Sequence, residues 1–124
     1  MAGVEALQAF CRAGGVAEET IFALMLAFEE SGANVVHHAY RGDPGRTLRV
    51  AAEDRGDVIA VEVRDDGPPF DPLAARPAGP PPDPDDPPVG GLGIELIRRS
   101  VDELRYAREG AENVLRFAKR VGRR

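Results

Sequence analysis

A proline-rich segment divides this chain into two blocks. Residues 76–88 are mostly proline, glycine and aspartate, a composition that cannot form a helix or an interior strand. A loop of this length inside a compact domain is uncommon and is often a lid over a site, although an inert surface loop has the same composition. Any fold must therefore leave this segment, between about residues 73 and 90, outside its regular elements.

The block before the proline-rich segment predicts two helices and a pair of strands. Apolar residues at helical spacing predict helices over 4–13 and from 16 to about 40. Alternation of apolar and polar residues predicts strands over 47–53 and 58–64, joined by a turn at 54–57. The connecting turn is too short for a crossover, so the two strands should be antiparallel.

The block after the segment repeats this arrangement with one helix. A helix is predicted to open at Ile94, and a second antiparallel strand pair over 104–108 and 114–119 surrounds a turn at 109–112. We expect a single domain over residues 1–124, an α/β two-layer sandwich with helices on one face of a mainly antiparallel sheet.

One acidic residue falls on the buried side of the second strand. Ile59, Val61 and Val63 point one way, and the same alternation puts Asp65 on their side and Asp66 on the polar side. A carboxylate in that position is costly unless something hydrogen-bonds it. Asp65, rather than Asp66, is therefore expected to have a specific hydrogen-bond partner.

The charge and cysteine content exclude some classes of protein. The net charge of −5 argues against general nucleic-acid binding, which needs a basic surface, but not against a nucleotide held by backbone amides and a metal ion. Cys11 is the single cysteine, so it forms no internal disulfide and is expected to be a small buried side chain. With no secretory signal and no apolar run of membrane length, we expect a cytoplasmic protein.

Two stretches carry side chains or backbone suited to a polyanion. Glu30, Asn34 and His38 are four residues apart and share one edge of the long helix. A glutamate can take a proton and an asparagine offers an uncharged oxygen, although the same pattern is common on a solvated helix face. The glycine-rich turn at 89–93 feeds a helix, whose free N–H groups suit an anion, but glycines also simply cap and turn.

These stretches, in this order, resemble one family, the histidine-kinase-like ATPases with the Bergerat fold. The match is strongest to its anti-sigma-factor branch, the small serine/threonine protein kinases that regulate bacterial sigma factors, and it covers roughly residues 17–119. Three motifs resemble its N box and its two glycine boxes: Glu30-x-x-x-Asn34 followed by His38-Ala39-Tyr40; Asp65-Asp66-Gly67 with Phe70-Asp71-Pro72; and Gly91-Leu92-Gly93-Ile94. Asn113 and Val114 stand where the family has a threonine in its last strand.

The resemblance implies an ATP site with Mg²⁺. Asn34 would bind Mg²⁺ through its amide oxygen. Asp65 would accept a hydrogen bond from the adenine amino group, which guanine lacks at that position. Gly67 would let the backbone approach the base, and Phe70 would close the base pocket.

The resemblance also implies phosphate binding and catalysis. The amides of Gly91, Leu92 and Gly93 would bind the phosphates, under the proline-rich segment as an ATP lid. Glu30 would be the general base that takes the proton from the serine hydroxyl of a partner protein.

Three functional hypotheses follow. The first is an ATP-dependent serine kinase of an anti-sigma-factor antagonist, which also sequesters a sigma factor, regulates transcription and is a homodimer. The second is a nucleotide-gated binding module of the same fold with little or no kinase activity. The third, a scaffold that binds no nucleotide, is disfavoured by the retained motif residues.

Overall fold

The structure is a computed structural model that describes residues 2–35, 48–73 and 91–121. In these ranges the elements are, in chain order, α1 (Ala2–Ala13), α2 (Glu18–Asn34), β1 (Arg49–Asp54), β2 (Val58–Asp65), α3 (Gly91–Ser100), β3 (Glu103–Glu109) and β4 (Glu112–Arg120). No helix in these ranges combines the length and the hydropathy that a membrane span needs.

The four strands form one antiparallel sheet in the order β1-β2-β4-β3. The two hairpins turn at Gly56 and Gly110, whose φ angles of 93° and 60° lie in the region that only glycine adopts without steric cost. The two hairpins are joined by the pairing of β2 with β4, which are distant in sequence and adjacent at the centre of the sheet. The last residue of β2, Asp65, lies opposite Asn113 in this pairing.

The helices cover one face of the sheet, which confirms the predicted two-layer sandwich. Helix α2 packs against α1 and α3 and lies on β2 and β4. The alternation predicted for β2 is confirmed, because Ile59, Val61 and Val63 are buried together with Phe28 of α2 and Phe117 of β4. Burying these apolar side chains between the layers is the main force that holds the two layers together.

Cys11 is buried in this core, as expected. Its pKa is raised, mainly by that burial and to a lesser extent by the charge of Asp54. The thiol therefore behaves as a small apolar side chain.

Helix α3 begins three residues earlier than the sequence predicted. The prediction assigned Gly91, Leu92 and Gly93 to a loop, with Ile94 opening the helix, but all three lie in the first helical turn. Each helical glycine costs only about 1 kcal/mol relative to alanine, and Ile94 and Ile97 bury one side of the helix in the core. That burial outweighs the poor helix propensity of the two glycines.

Helix α2 is described as far as Asn34, and Val35 continues its backbone hydrogen bonding to Gly32 and Ser31. The predicted extension to about Tyr40 lies outside the described residues, as do His37, His38 and the proline-rich segment. The Ser31 hydroxyl donates to the Ala27 carbonyl at 2.7 Å, and α2 is helical through Glu30 and Asn34.

The uncovered face of the sheet carries a ladder of ion pairs across β2, β4 and β3. Glu62 pairs with Arg64 and also accepts from Arg116 Nε at 2.9 Å, and Arg116 Nη1 donates to Glu109 at 2.8 Å. The hydrogen bond from Arg64 is the main cause that lowers the pKa of Glu62. The hydrogen bond from Arg116 does the same for the pKa of Glu109. The ladder keeps both carboxylates ionised and leaves the opposite face for the site.

Two helical glycines should respond oppositely to alanine. A Cβ on Gly3 would lie 2.9 Å from Cζ of the fully buried Phe28, whereas the nearest described atom to a Cβ on Gly32 is Leu48 Cδ1 at 3.5 Å. We expect Gly3→Ala to lower the free energy of unfolding by about 1 kcal/mol or more, and Gly32→Ala to raise it by about 0.5–1 kcal/mol. Urea unfolding midpoints measure both; equal midpoints for the two variants would contradict the packing described at Gly3.

Candidate functional site

A pair of buried polar side chains closes one end of the central strand pair. Asp65 on β2 is 5% exposed and Asn113 on β4 is 4% exposed. Asn113 Nδ2 donates to Asp65 Oδ1 at 2.9 Å, and the Gly67 backbone N–H donates to the same oxygen at 3.0 Å. The predicted burial of Asp65 is thus confirmed, and its hydrogen-bond partners come from inside the chain. No described residue donates to Oδ2, which leaves that oxygen for a ligand.

The other contacts of Asn113 tie down the loop that follows β2. Its Nδ2 also donates to the Pro68 carbonyl at 2.8 Å, and its Oδ1 accepts from the Phe70 backbone N–H at 3.1 Å and from the Tyr106 hydroxyl at 2.6 Å. Arg108 on β3 donates to the Gly67 carbonyl at 2.8 Å. Segment 65–70 is therefore held to both strands of the second hairpin.

Sequence reasoning did not assign a role to Asn113 or Tyr106. Asn113 shares the buried side of β4 with Leu115 and Phe117. The strand alternation that identified Asp65 as a buried polar residue therefore also identifies Asn113. Asn113 contacts Asp65, the residue predicted to bind the base.

A narrow cleft lies between the C-terminal end of α2 and this end of the sheet. Its volume of about 20 Å³ is that of about one water molecule. The structure brings together three of the predicted site residues in its lining, with Tyr106 and Asn113 in addition. The described lining residues are Ser31, Asn34, Val35, Val63, Asp65, Phe70, Pro72, Tyr106, Asn113 and Leu115.

Asn34, which lines the cleft, has an unsatisfied side-chain nitrogen. Its side chain is 7% exposed, and its Nδ2 is buried without a hydrogen-bond partner in the described part of the chain. An unpaired buried amide costs about 1–3 kcal/mol, so it points to a partner that the described residues do not provide. A nucleotide phosphate with a divalent cation offers both an acceptor for the N–H and a ligand position for the oxygen.

The remaining predicted residues are not among the described residues that line the cleft. Glu30 is half-buried one helical turn before Asn34 and is not among the residues that line the cleft. Gly67 is buried, its N–H donates to Asp65 Oδ1, and its carbonyl accepts from Arg108. Gly91, Leu92 and Gly93 form the first turn of α3, where backbone N–H groups have no partner within the helix.

The loop after Gly67 is preformed at the mouth of the cleft. Phe70 is half-buried, and the Asp71 carboxylate accepts from the Leu73 backbone N–H at 2.8 Å. Arg98 of α3 donates to the Leu73 carbonyl at 3.4 Å. The loop therefore links the sheet end of the site to α3.

Comparison with known proteins gives a family and similar solved structures, one of which is described here. The histidine kinase-like ATPase domain matches residues 3–119. The histidine kinase domain of a blue-light activated histidine kinase from Erythrobacter litoralis matches with a TM-score of 0.57 and 21% sequence identity, covering 83% of this chain and 45% of that chain. The chain thus spans less than half the length of that structure, and the likeness shows the fold alone. No curated protein matches.

Proposed function

Because the chain belongs to the histidine kinase-like ATPase domain family, we propose that the cleft is the base end of an ATP site. The observation that carries this proposal is the one-sided hydrogen bonding of Asp65. Both of the donors found among the described residues reach Oδ1, so Oδ2 remains as an acceptor for the adenine amino group. Guanine has a carbonyl at that position, and two acceptors would face each other.

The adenine ring needs more room than the cleft of about 20 Å³ provides. Phe70 is half-buried on a loop, and Tyr106 is half-buried on the edge strand β3. We propose that one of these rings moves aside and then packs on the base. The movement links nucleotide binding to the conformation of segment 66–73.

The phosphates would extend from the base towards the end of α2 and the first turn of α3. Asn34 would hold Mg²⁺ with its amide oxygen, and the N–H groups of Gly91, Leu92 and Gly93 would bind phosphate oxygens. When bound, Mg²⁺ neutralises charge on the phosphates. The unsatisfied Nδ2 of Asn34 is a hydrogen-bond donor, so it supports a phosphate oxygen beside this side chain.

We propose further that the protein is a serine kinase of the anti-sigma-factor type. Glu30 would take the proton from the serine hydroxyl of an anti-sigma-factor antagonist while the oxygen attacks the γ-phosphorus. The bond between the γ-phosphorus and the β–γ bridging oxygen would break, and ADP would leave. The motifs at 70–72 and 91–94 support this branch, with a sigma factor as second partner, a homodimer as the assembly and the bacterial cytoplasm as the setting.

The closed cleft favours one alternative, a nucleotide-gated module without efficient phosphoryl transfer. If opening the cleft requires Phe70 or Tyr106 to move, nucleotide binding itself would change the surface formed by segment 66–73. Such a module needs Asp65 and Asn34 but not Glu30.

Calorimetric titration of the chain with ATP and with GTP, each with and without Mg²⁺, tests the proposed site. We expect ATP to bind at least about tenfold more tightly than GTP, and Mg²⁺ to tighten ATP binding in the wild type but not in Asn34→Ala. The same affinity for both nucleotides would overturn the assignment of Asp65. No binding of either would overturn the ATP site altogether.

A further inference from the structure

We propose that Asn113 is a positioning residue that sets the adenine selectivity of the cleft by fixing the orientation of the Asp65 carboxylate. This inference rests on the proposed function. Asn113 does not need to touch the nucleotide for this role. It donates a hydrogen bond to Asp65 Oδ1 and leaves Asp65 Oδ2 as the acceptor for the ligand.

The orientation of the Asn113 amide follows from its partners. One end faces the Phe70 backbone N–H, which can only donate, so that end is Oδ1. The other end faces Asp65 Oδ1 at 2.9 Å and the Pro68 carbonyl at 2.8 Å, which as a carboxylate and a carbonyl both accept. The amide therefore donates to Asp65, and the reverse orientation would place acceptor against acceptor at both positions.

This donated hydrogen bond selects one of the two carboxylate oxygens. The Gly67 N–H comes from a residue two positions along the chain, so it moves with Asp65 and cannot by itself fix the carboxylate relative to the cleft. Asn113 lies on a different strand, opposite Asp65 in the sheet. With both donors on Oδ1, Oδ2 is presented as a single acceptor, which suits an exocyclic amino group.

The Asn113 amide also connects Asp65, the proposed acceptor for adenine, to two residues that line the cleft. Tyr106 and the backbone of Phe70 both donate to Asn113 Oδ1, and both residues line the cleft. A change at Asn113 therefore frees the carboxylate to rotate. Asp65 could then present both oxygens, an arrangement that accepts from the adjacent N–H groups of guanine as well as from adenine.

Two substitutions separate this role from a merely structural one. Asn113→Asp keeps the size and the accepting oxygen but replaces the donor by an oxygen that repels Asp65. Asn113→Ala removes the whole amide. The matched control is Val114→Ala, which shortens the next side chain of β4, one that is fully buried and does not line the cleft.

The experiment measures the ratio of the dissociation constants for GTP and ATP by calorimetry, with thermal unfolding as the check on folding. We expect the ratio to fall about tenfold in Asn113→Asp and Asn113→Ala, and to stay at the wild-type value in Val114→Ala. A merely structural role would weaken both nucleotides together and leave the ratio unchanged.

The outcomes distinguish this inference from the proposed function. Wild-type protein that does not prefer ATP overturns both. Wild-type protein that prefers ATP, with the same ratio in both Asn113 variants, overturns the role of Asn113 alone. If Asn113→Asp does not fold, the ratio in Asn113→Ala decides.

Discussion

Replacing Asp65 with asparagine is expected to weaken ATP binding about a hundredfold while leaving the fold intact. The substituted side chain keeps an oxygen that can accept from the Gly67 N–H and from Asn113 Nδ2, as Asp65 Oδ1 does at 3.0 Å and 2.9 Å. Its amide nitrogen then takes the place of Oδ2. The adenine amino group is a donor and would then face another donor. ATP binding would lose a hydrogen bond to a charged group and gain a repulsion, which together weaken the binding free energy by about 2–3 kcal/mol.

The same substitution should reverse the choice of base. The new amide N–H can donate to the carbonyl oxygen of guanine, so GTP should lose much less affinity than ATP or gain some. Calorimetric titration with both nucleotides measures the change, and circular dichroism checks the fold. A variant that binds ATP as the wild type does would contradict Oδ2 as the base acceptor.

Asp66→Asn is the matched control for this experiment. It makes the same chemical change and the same change in net charge one residue later, on an exposed side chain. We expect it to leave both affinities within about twofold of the wild type. If both variants lost ATP equally, the loss would reflect the charge of the region rather than a hydrogen bond from Asp65.

Replacing Glu30 with glutamine is expected to abolish phosphoryl transfer and to leave ATP binding unchanged. General-base catalysis contributes about 10²–10⁴ in rate, and a glutamine cannot take the proton. Glu30 is half-buried and does not line the cleft, so Glu30→Gln should leave the adenine contacts and the affinity for ATP unchanged. The readout is ATP turnover, measured as ADP formation, by the chain alone and with an anti-sigma-factor antagonist protein as phosphate acceptor.

Glu29→Gln is the matched control, since Glu29 precedes Glu30 on α2 and is exposed. Turnover that falls equally in both variants, or in neither, would contradict Glu30 as the base. Tight ATP binding by the wild type without any turnover would favour the nucleotide-gated module over the kinase.

Much of the fold follows from local periodicity. The alternation in β2 depends only on neighbouring residues and on the need to bury one face, and it places Asp65 on the buried side, where the structure has it. Helical spacing likewise predicted α1, α2 and α3, with boundary errors such as the start of α3 at Gly91. A helix boundary depends on packing against other elements, which no local pattern contains.

The motifs of the sequence contain the residues of the candidate site, and only the tertiary structure decided how those residues meet. Asp65 and Asn113 are 48 positions apart and become partners because β2 pairs with β4 rather than with the next strand along the chain. Within the described residues, the Asp65 Oδ2 without a donor, the Asn34 Nδ2 without a partner and the narrow cleft all depend on that pairing and on α2 packing over it. Hydrogen bonds between distant strands depend on the register of the whole sheet, and so the sequence determined the residues of the site while the fold decided their contacts.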